Sequence, residues 1–166
     1  DAANHSGEEV SKSWWDAVDY IGVDAYYMGG SLQSNEKSID DKLTSISYTL
    51  ENLSNRWKKP ILITEFGFCS GRCGIGNRNV YPTVYDHYLQ AYFYERAFQI
   101  WGKKDFIHGI FWWTWTTDPY VAGLEDHCLT PQNKMSEYVL YVYYGGDKSL
   151  LNYNPPKGKA KCVCTI

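Results

Sequence analysis

The stretch "ILITEFGFCSGRC", residues 61–73, carries an apolar run into a carboxylate and then into a loop of glycine and cysteine. Ile61-Leu62-Ile63 offers no polar face, the pattern of a strand covered on both sides in a parallel sheet. A charge placed next in such a run is costly unless it is paired or put to use. Glu65 is therefore read either as a satisfied structural acid or as a working group at the mouth of a strand.

The segments around it alternate in kind. "YIGVDAYY", residues 20–27, has strand periodicity and ends in aromatics. From Ser38 to Lys58 apolar residues recur at helical spacing, with Ser38 as the expected N-cap and Pro60 as the stop. A second helical pattern runs over about 83–102, and "FIHGIFWWTW", residues 106–115, reads as a strand. A last helix is expected over about 134–144. Residues 11–19 look like a short helix or turn, and the tail from Gly145 reads as irregular. Strand and helix alternating in this way imply parallel strands joined by right-handed crossovers. The short apolar strands carry nothing that manages the edges of a sheet, so they read as part of a larger one.

Composition narrows the function. Aromatic residues make up 17% of the chain, with 7 Trp and 15 Tyr, and such rings suit flat amphipathic ligands such as sugars. A net charge of −3 argues against a nucleic-acid binder, which would show a basic stripe. No apolar run is long enough to span a bilayer as a helix. His5, His87, His108 and His127 show no metal-ligand spacing, and no cofactor is expected. Cys69, Cys73, Cys128, Cys162 and Cys164 fit a zinc site poorly and are read as disulfide candidates with open connectivity. The odd cysteine implies a free thiol or a partner outside the chain. Sequons at Asn4-His5-Ser6 and Asn52-Leu53-Ser54 agree with a secreted glycoprotein, and the start at Asp1 with a mature or truncated one.

"WWDAVDYIGVDAYY", "KKPILITEFGF", "GIFWWTWTTDP" and "LTPQNKMSEYVLYVYY" together resemble the C-terminal half of clan A glycoside hydrolases, most closely the family 113 β-mannanases. The resemblance covers roughly residues 2–145. It implies an α/β fold of the (β/α)8 TIM-barrel type, of which only the C-terminal part is present, about strands six to eight with their helices. "AANH" would end strand five, and residues 146–166 would form an irregular cysteine-containing tail.

On this resemblance Thr64-Glu65-Phe66-Gly67 matches the family's setting for a catalytic nucleophile at the end of strand seven. Tyr26, two residues beyond Asp24 on one side of strand six, would hydrogen-bond Glu65 and keep it ionised. Trp113 matches a tryptophan that floors the sugar subsite. Strand parity sets Phe111, Trp113 and Trp115 on one face and Trp112 toward the helices. Tyr26, Asp24, Trp113, Trp115 and Asn4 are the candidates for binding substrate, and Cys69 and Cys73 are expected to staple the loop beside the cleft. The family's acid/base is the Glu of an Asn-Glu pair on strand four, upstream of these residues. Asn35-Glu36 falls after the wrong strand, and Glu36 reads as a solvated loop acid.

The expected function is thus retaining hydrolysis of β-1,4-linked polysaccharide, with the missing N-terminal half of the barrel as partner and this chain alone inactive. The alternative from another class is a non-catalytic carbohydrate-binding or structural glycoprotein on a degenerate barrel. A third reading is a half-barrel that pairs with a second polypeptide.

Overall fold

The computed structural model describes residues 2–4, 8–26, 35–71 and 85–147. Four strands form one sheet: β1 (Ala2–Asn4), β2 (Ile21–Ala25), β3 (Ile61–Phe66) and β4 (Ile107–Trp112). They lie in chain order and every neighbouring pair is parallel. Helix α1 (Glu36–Trp57) carries the chain from β2 to β3, α2 (His87–Trp101) from β3 to β4, and α3 (Met135–Tyr143) follows β4. Short 3-10 turns at Glu8–Ser11 and Trp15–Ala17 lie between β1 and β2. Parallel order without a reversal is the pattern of a barrel arc.

Each helix starts where a side chain can receive its free N–H groups. Asn35, not Ser38, caps α1. Its Oδ1 accepts the Ser38 N–H at 2.9 Å, while the Ser38 hydroxyl accepts the Asn35 N–H at 3.0 Å. This capping box begins the helix three residues before the expected cap and places Glu36 in its first turn rather than in a loop. Asp86 caps α2 through the Leu89 N–H at 2.9 Å, so the described helix starts at His87 rather than near residue 83. Lys58 ends α1 in the left-handed region at φ 54°. The Ser54 hydroxyl then donates to the Lys59 carbonyl at 2.7 Å and turns the chain toward Pro60 and β3.

The core lies between the sheet and the helices. Ile21, Val23 and Ala25 of β2 and Ile61 and Ile63 of β3 are fully buried against Ile39, Leu43 and Leu50 of α1 and Phe93, Ala97 and Trp101 of α2. Trp101 donates its indole N–H to the Leu43 carbonyl at 3.0 Å and ties α2 to α1. Phe66 packs its ring 4.7 Å from Phe93 and 4.5 Å from Trp101. Trp112 faces the same side, stacked on Tyr94 at 4.5 Å, and its indole N–H reaches the Tyr144 hydroxyl at 3.0 Å. Burial pushes the Tyr94 phenol far above its ordinary pKa, so it stays neutral and donates to the Leu129 carbonyl.

The long connection from β4 to α3 is held by buried polar groups. Lys134 is fully buried, pairs with the buried Asp126 at 2.5 Å and donates to the Cys128 carbonyl at 3.0 Å. Gln90 on α2 donates to the Phe68 carbonyl at 2.7 Å and accepts the Ser136 hydroxyl at 2.8 Å. The Ser70 hydroxyl donates to the Asp126 carbonyl at 2.6 Å. Gln132 accepts the Thr116 N–H at 2.6 Å, and Asn133 donates to the carbonyls of Pro119 and Val121 at 2.9 and 2.8 Å. The loops after β3 and β4 are thereby fastened to each other and to two helices.

Removing one member of a buried ion pair leaves the other charge without compensation. Lys134→Met should destabilise the fold by about 3–5 kcal/mol in urea unfolding, and the double variant Lys134→Met/Asp126→Leu should recover most of that loss. Asn35→Ala should cost only about 1 kcal/mol, because it removes a cap and strands no charge.

Candidate active site

The mouth of the arc is built at the C-terminal ends of β2, β3 and β4. Ile61 and Ile63 face the helices, so plain alternation would send Glu65 after them and turn Phe66 away. The structure does the reverse, because Phe66 is buried in the aromatic core. Strand pairing gives the reason. Between Ile63 and Glu65 β3 takes two steps while β2 takes one, from Val23 to Asp24. Between Ile63 and Phe66 β3 takes three steps while β4 takes two, from Ile110 to Trp112. One extra residue in β3 forms a β-bulge at Thr64–Glu65 and reverses the parity, which frees Glu65 from the helix side.

Asp24 is paired with Glu65 in register and is only 5% exposed. Its Oδ1 accepts the Thr64 hydroxyl at 2.7 Å. Tyr26 follows directly beyond β2, half-buried, with its N–H bonded to the Asp24 carbonyl at 2.9 Å. On the other side of β3, the Trp113 N–H donates to the Phe66 carbonyl at 2.8 Å. A Cβ at Gly67 would lie 2.1 Å from the Trp113 carbonyl oxygen, so only glycine fits where the two segments meet. β4 ends at Trp112, and Trp113 and Trp115 leave the ladder 45% and 56% exposed. Phe111 is 59% exposed.

The remaining candidates fall into two groups. Glu36 is exposed on the outer helices, where its carboxylate accepts the Tyr88 hydroxyl and raises that phenol's pKa, first by the hydrogen bond and then by its charge. Asn52 is exposed on α1, near the end of the helix that leads into β3. His87 donates its Nε2–H to the Leu124 carbonyl at 2.7 Å, and the Tyr85 ring lies 6.3 Å from His87 and 6.1 Å from His127. Cys69 and Cys128 are buried beside each other's segments, with the Ser70 N–H on the Cys128 carbonyl at 3.3 Å. Asn4 is described as part of β1, paired with Ala25, but its side chain lies outside the described residues. His5, Cys73, Cys162, Cys164 and the tail from residue 148 lie outside them as well.

Among the described residues no cluster of His, Cys, Asp and Glu is arranged to hold a metal ion, and no helix is long and apolar enough to cross a membrane. The bulge and the Asp24–Thr64 bond are the features that residue patterns did not single out. A signal for the bulge does exist: the large apolar Phe66 directly after Thr64-Glu65 breaks the alternation set by Ile61 and Ile63.

A model of Glycoside Hydrolase Family 113 matches residues 2–140. Among solved structures the chain is similar to a GH113 β-1,4-mannanase in a complex, with 18% identity and a TM-score of 0.66 over 87% of this chain and 45% of that one. It is likewise similar to the GH113 β-mannanase AaManA from Alicyclobacillus acidocaldarius in complex with ManMIm, with 22% identity and a TM-score of 0.66 over 86% of this chain and 44% of that one. None of the curated proteins matches the chain. The chain therefore spans less than half the length of these mannanases, and the likeness identifies the four-stranded arc as part of a TIM barrel. By the match over residues 2–140, the chain belongs to Glycoside Hydrolase Family 113.

Proposed function

We propose that this chain supplies the nucleophile half of a retaining glycoside hydrolase acting on β-1,4-linked mannan-type polysaccharide. The observation that carries the reading is the position of Glu65. It lies at the mouth end of a barrel strand in the Thr64-Glu65-Phe66-Gly67 setting, freed from the helix side by a bulge. The Glu65 carboxylate attacks the anomeric carbon and forms a glycosyl-enzyme, while an acid on an upstream strand protonates the departing oxygen. The same upstream group then takes a proton from water, the water attacks the anomeric carbon, and Glu65 is released. The two carboxyl groups of such a pair stand about 5–5.5 Å apart.

Trp113 fits the floor of the subsite, because an exposed indole offers its face to the C–H face of a pyranose. Trp115 extends the same exposed aromatic surface. Tyr26 lies one residue beyond β2, next to the register position where Asp24 pairs with Glu65, and takes the role of orienting Glu65. The partner of the arc is the N-terminal half of the barrel, and its substrate is a polysaccharide. We assign the enzyme to the secreted class, with Asn4 and Asn52 as glycan acceptors and disulfides among the cysteines. The exposure of Asn52 and the closeness of the Cys69 and Cys128 segments support that assignment.

Residues 1–166 alone should release no sugar from β-1,4-mannan, because the acid/base belongs to a strand outside them. The polypeptide that includes the upstream strands should hydrolyse it with retention, read by NMR of the first-formed anomer. Glu65→Gln in that polypeptide should lower turnover by about six orders of magnitude, the scale on which loss of a nucleophile acts. Turnover by residues 1–166 alone, or inversion at the anomeric carbon, would overturn the reading.

A further inference from the structure

We infer that Asp24 is a positioning residue: through Thr64 it pins the β-bulge that presents Glu65 at the mouth. The inference rests on the reading of Glu65 as nucleophile and adds what holds that nucleophile in place. A bulge leaves one residue of its strand without a regular partner, so its conformation needs a tether beyond the ladder. Thr64 is one of the two residues in the bulge, and its hydroxyl donates to Asp24 Oδ1 at 2.7 Å. The bond crosses from β3 to β2 at the point where the register slips, between Val23 and Asp24.

The alternative arrangement is well defined. Without the bulge, regular alternation would direct Glu65 toward Phe93 and Trp101 and turn Phe66 out of the aromatic core. Phe66 on the helix side fixes one flank of the bulge, and the Phe66 carbonyl bonded to the Trp113 N–H fixes its exit. The Thr64 hydroxyl fixes the middle. Asp24, 5% exposed, is a costly group to keep in a sheet interior, and a charge-assisted bond to a hydroxyl at a catalytic strand end gives that cost a role. Asp24 acts through Thr64 and requires no contact with substrate.

The test uses the full-length polypeptide that carries residues 1–166, with five variants and two readouts. Thr64→Val keeps the shape of the side chain and removes the donor. It should lower kcat by about 10- to 100-fold, the scale of a small misplacement of a reacting group, and leave KM within about two-fold. Thr64→Ser keeps the hydroxyl and should return kcat to within about three-fold of the parent. Asp24→Asn keeps an acceptor and should lose less than Asp24→Ala. A crystal structure of Thr64→Val should show Glu65 displaced from its parental position. An unchanged kcat in Thr64→Val, or Glu65 unmoved in that crystal, would overturn the inference. Glu65→Gln separates the two readings. If it retains turnover, the nucleophile assignment fails and the crystal structure alone decides the pinning. If it is inactive while Thr64→Val matches the parent, only the pinning fails.

Discussion

One surplus residue in β3 governs the geometry of the mouth. β3 is paired on both sides, and beyond Ile63 it takes one step more than each neighbour, whereas β4 takes its own extra step earlier, between Ile107 and Gly109. Strand parity is a rigid constraint, since a single-residue slip sends every later side chain to the opposite face. The surplus lets the strand satisfy two incompatible demands. Ile61, Ile63 and Phe66 all reach the helix side, while Thr64 and Glu65 are kept off it. An acid then sits between large apolar groups without entering their core.

Two kinds of packing stabilise this arrangement around the sheet ends. On the helix side the rings of Phe66, Phe93, Trp101, Tyr94 and Trp112 form a continuous aromatic layer. Above it the loops after β3 and β4 are joined by Gln90, Lys134, Asp126 and Ser70, all buried and hydrogen-bonded. Buried polar groups of this kind give orientation more than net stability, because satisfied hydrogen bonds are directional while desolvation offsets much of their energy. The apolar layer sets where the strands end, and the polar layer sets how the chain leaves them.

The strands and helices were legible because burial imposes period on sequence. Ile39, Leu43, Ile46, Leu50 and Leu53 mark α1 without ambiguity, and the apolar run 61–63 marks β3. Helix starts were less legible. Ser38 and Asn35 are both good caps, and the choice between them is made by a reciprocal pair of bonds that composition does not reveal. Glu65 stood out as a charge at the end of an apolar run, Trp113 through a resemblance over many residues, and Trp115 through its strand parity with Trp113. Asp24 was legible beside Tyr26 as a candidate for binding substrate, not as a tether of the strand. Its bond to Thr64 joins residues forty positions apart, and such pairings follow from register rather than from local pattern. The Gln132-Asn133-Lys134 run reads locally as a polar loop, yet all three are buried, because their partners arrive from distant carbonyls.

The fastening of the β4–α3 connection has a consequence for how this surface can evolve. Its anchors, Gln132, Asn133 and Lys134, point inward to backbone carbonyls and to Asp126, whereas Trp115, Tyr120 and Leu124 project outward and take part in little of that network. Drift at the outward positions therefore leaves the loop's path intact. A lineage can exchange rim side chains, and with them its preference among related polymers, while the frame that presents them persists unchanged.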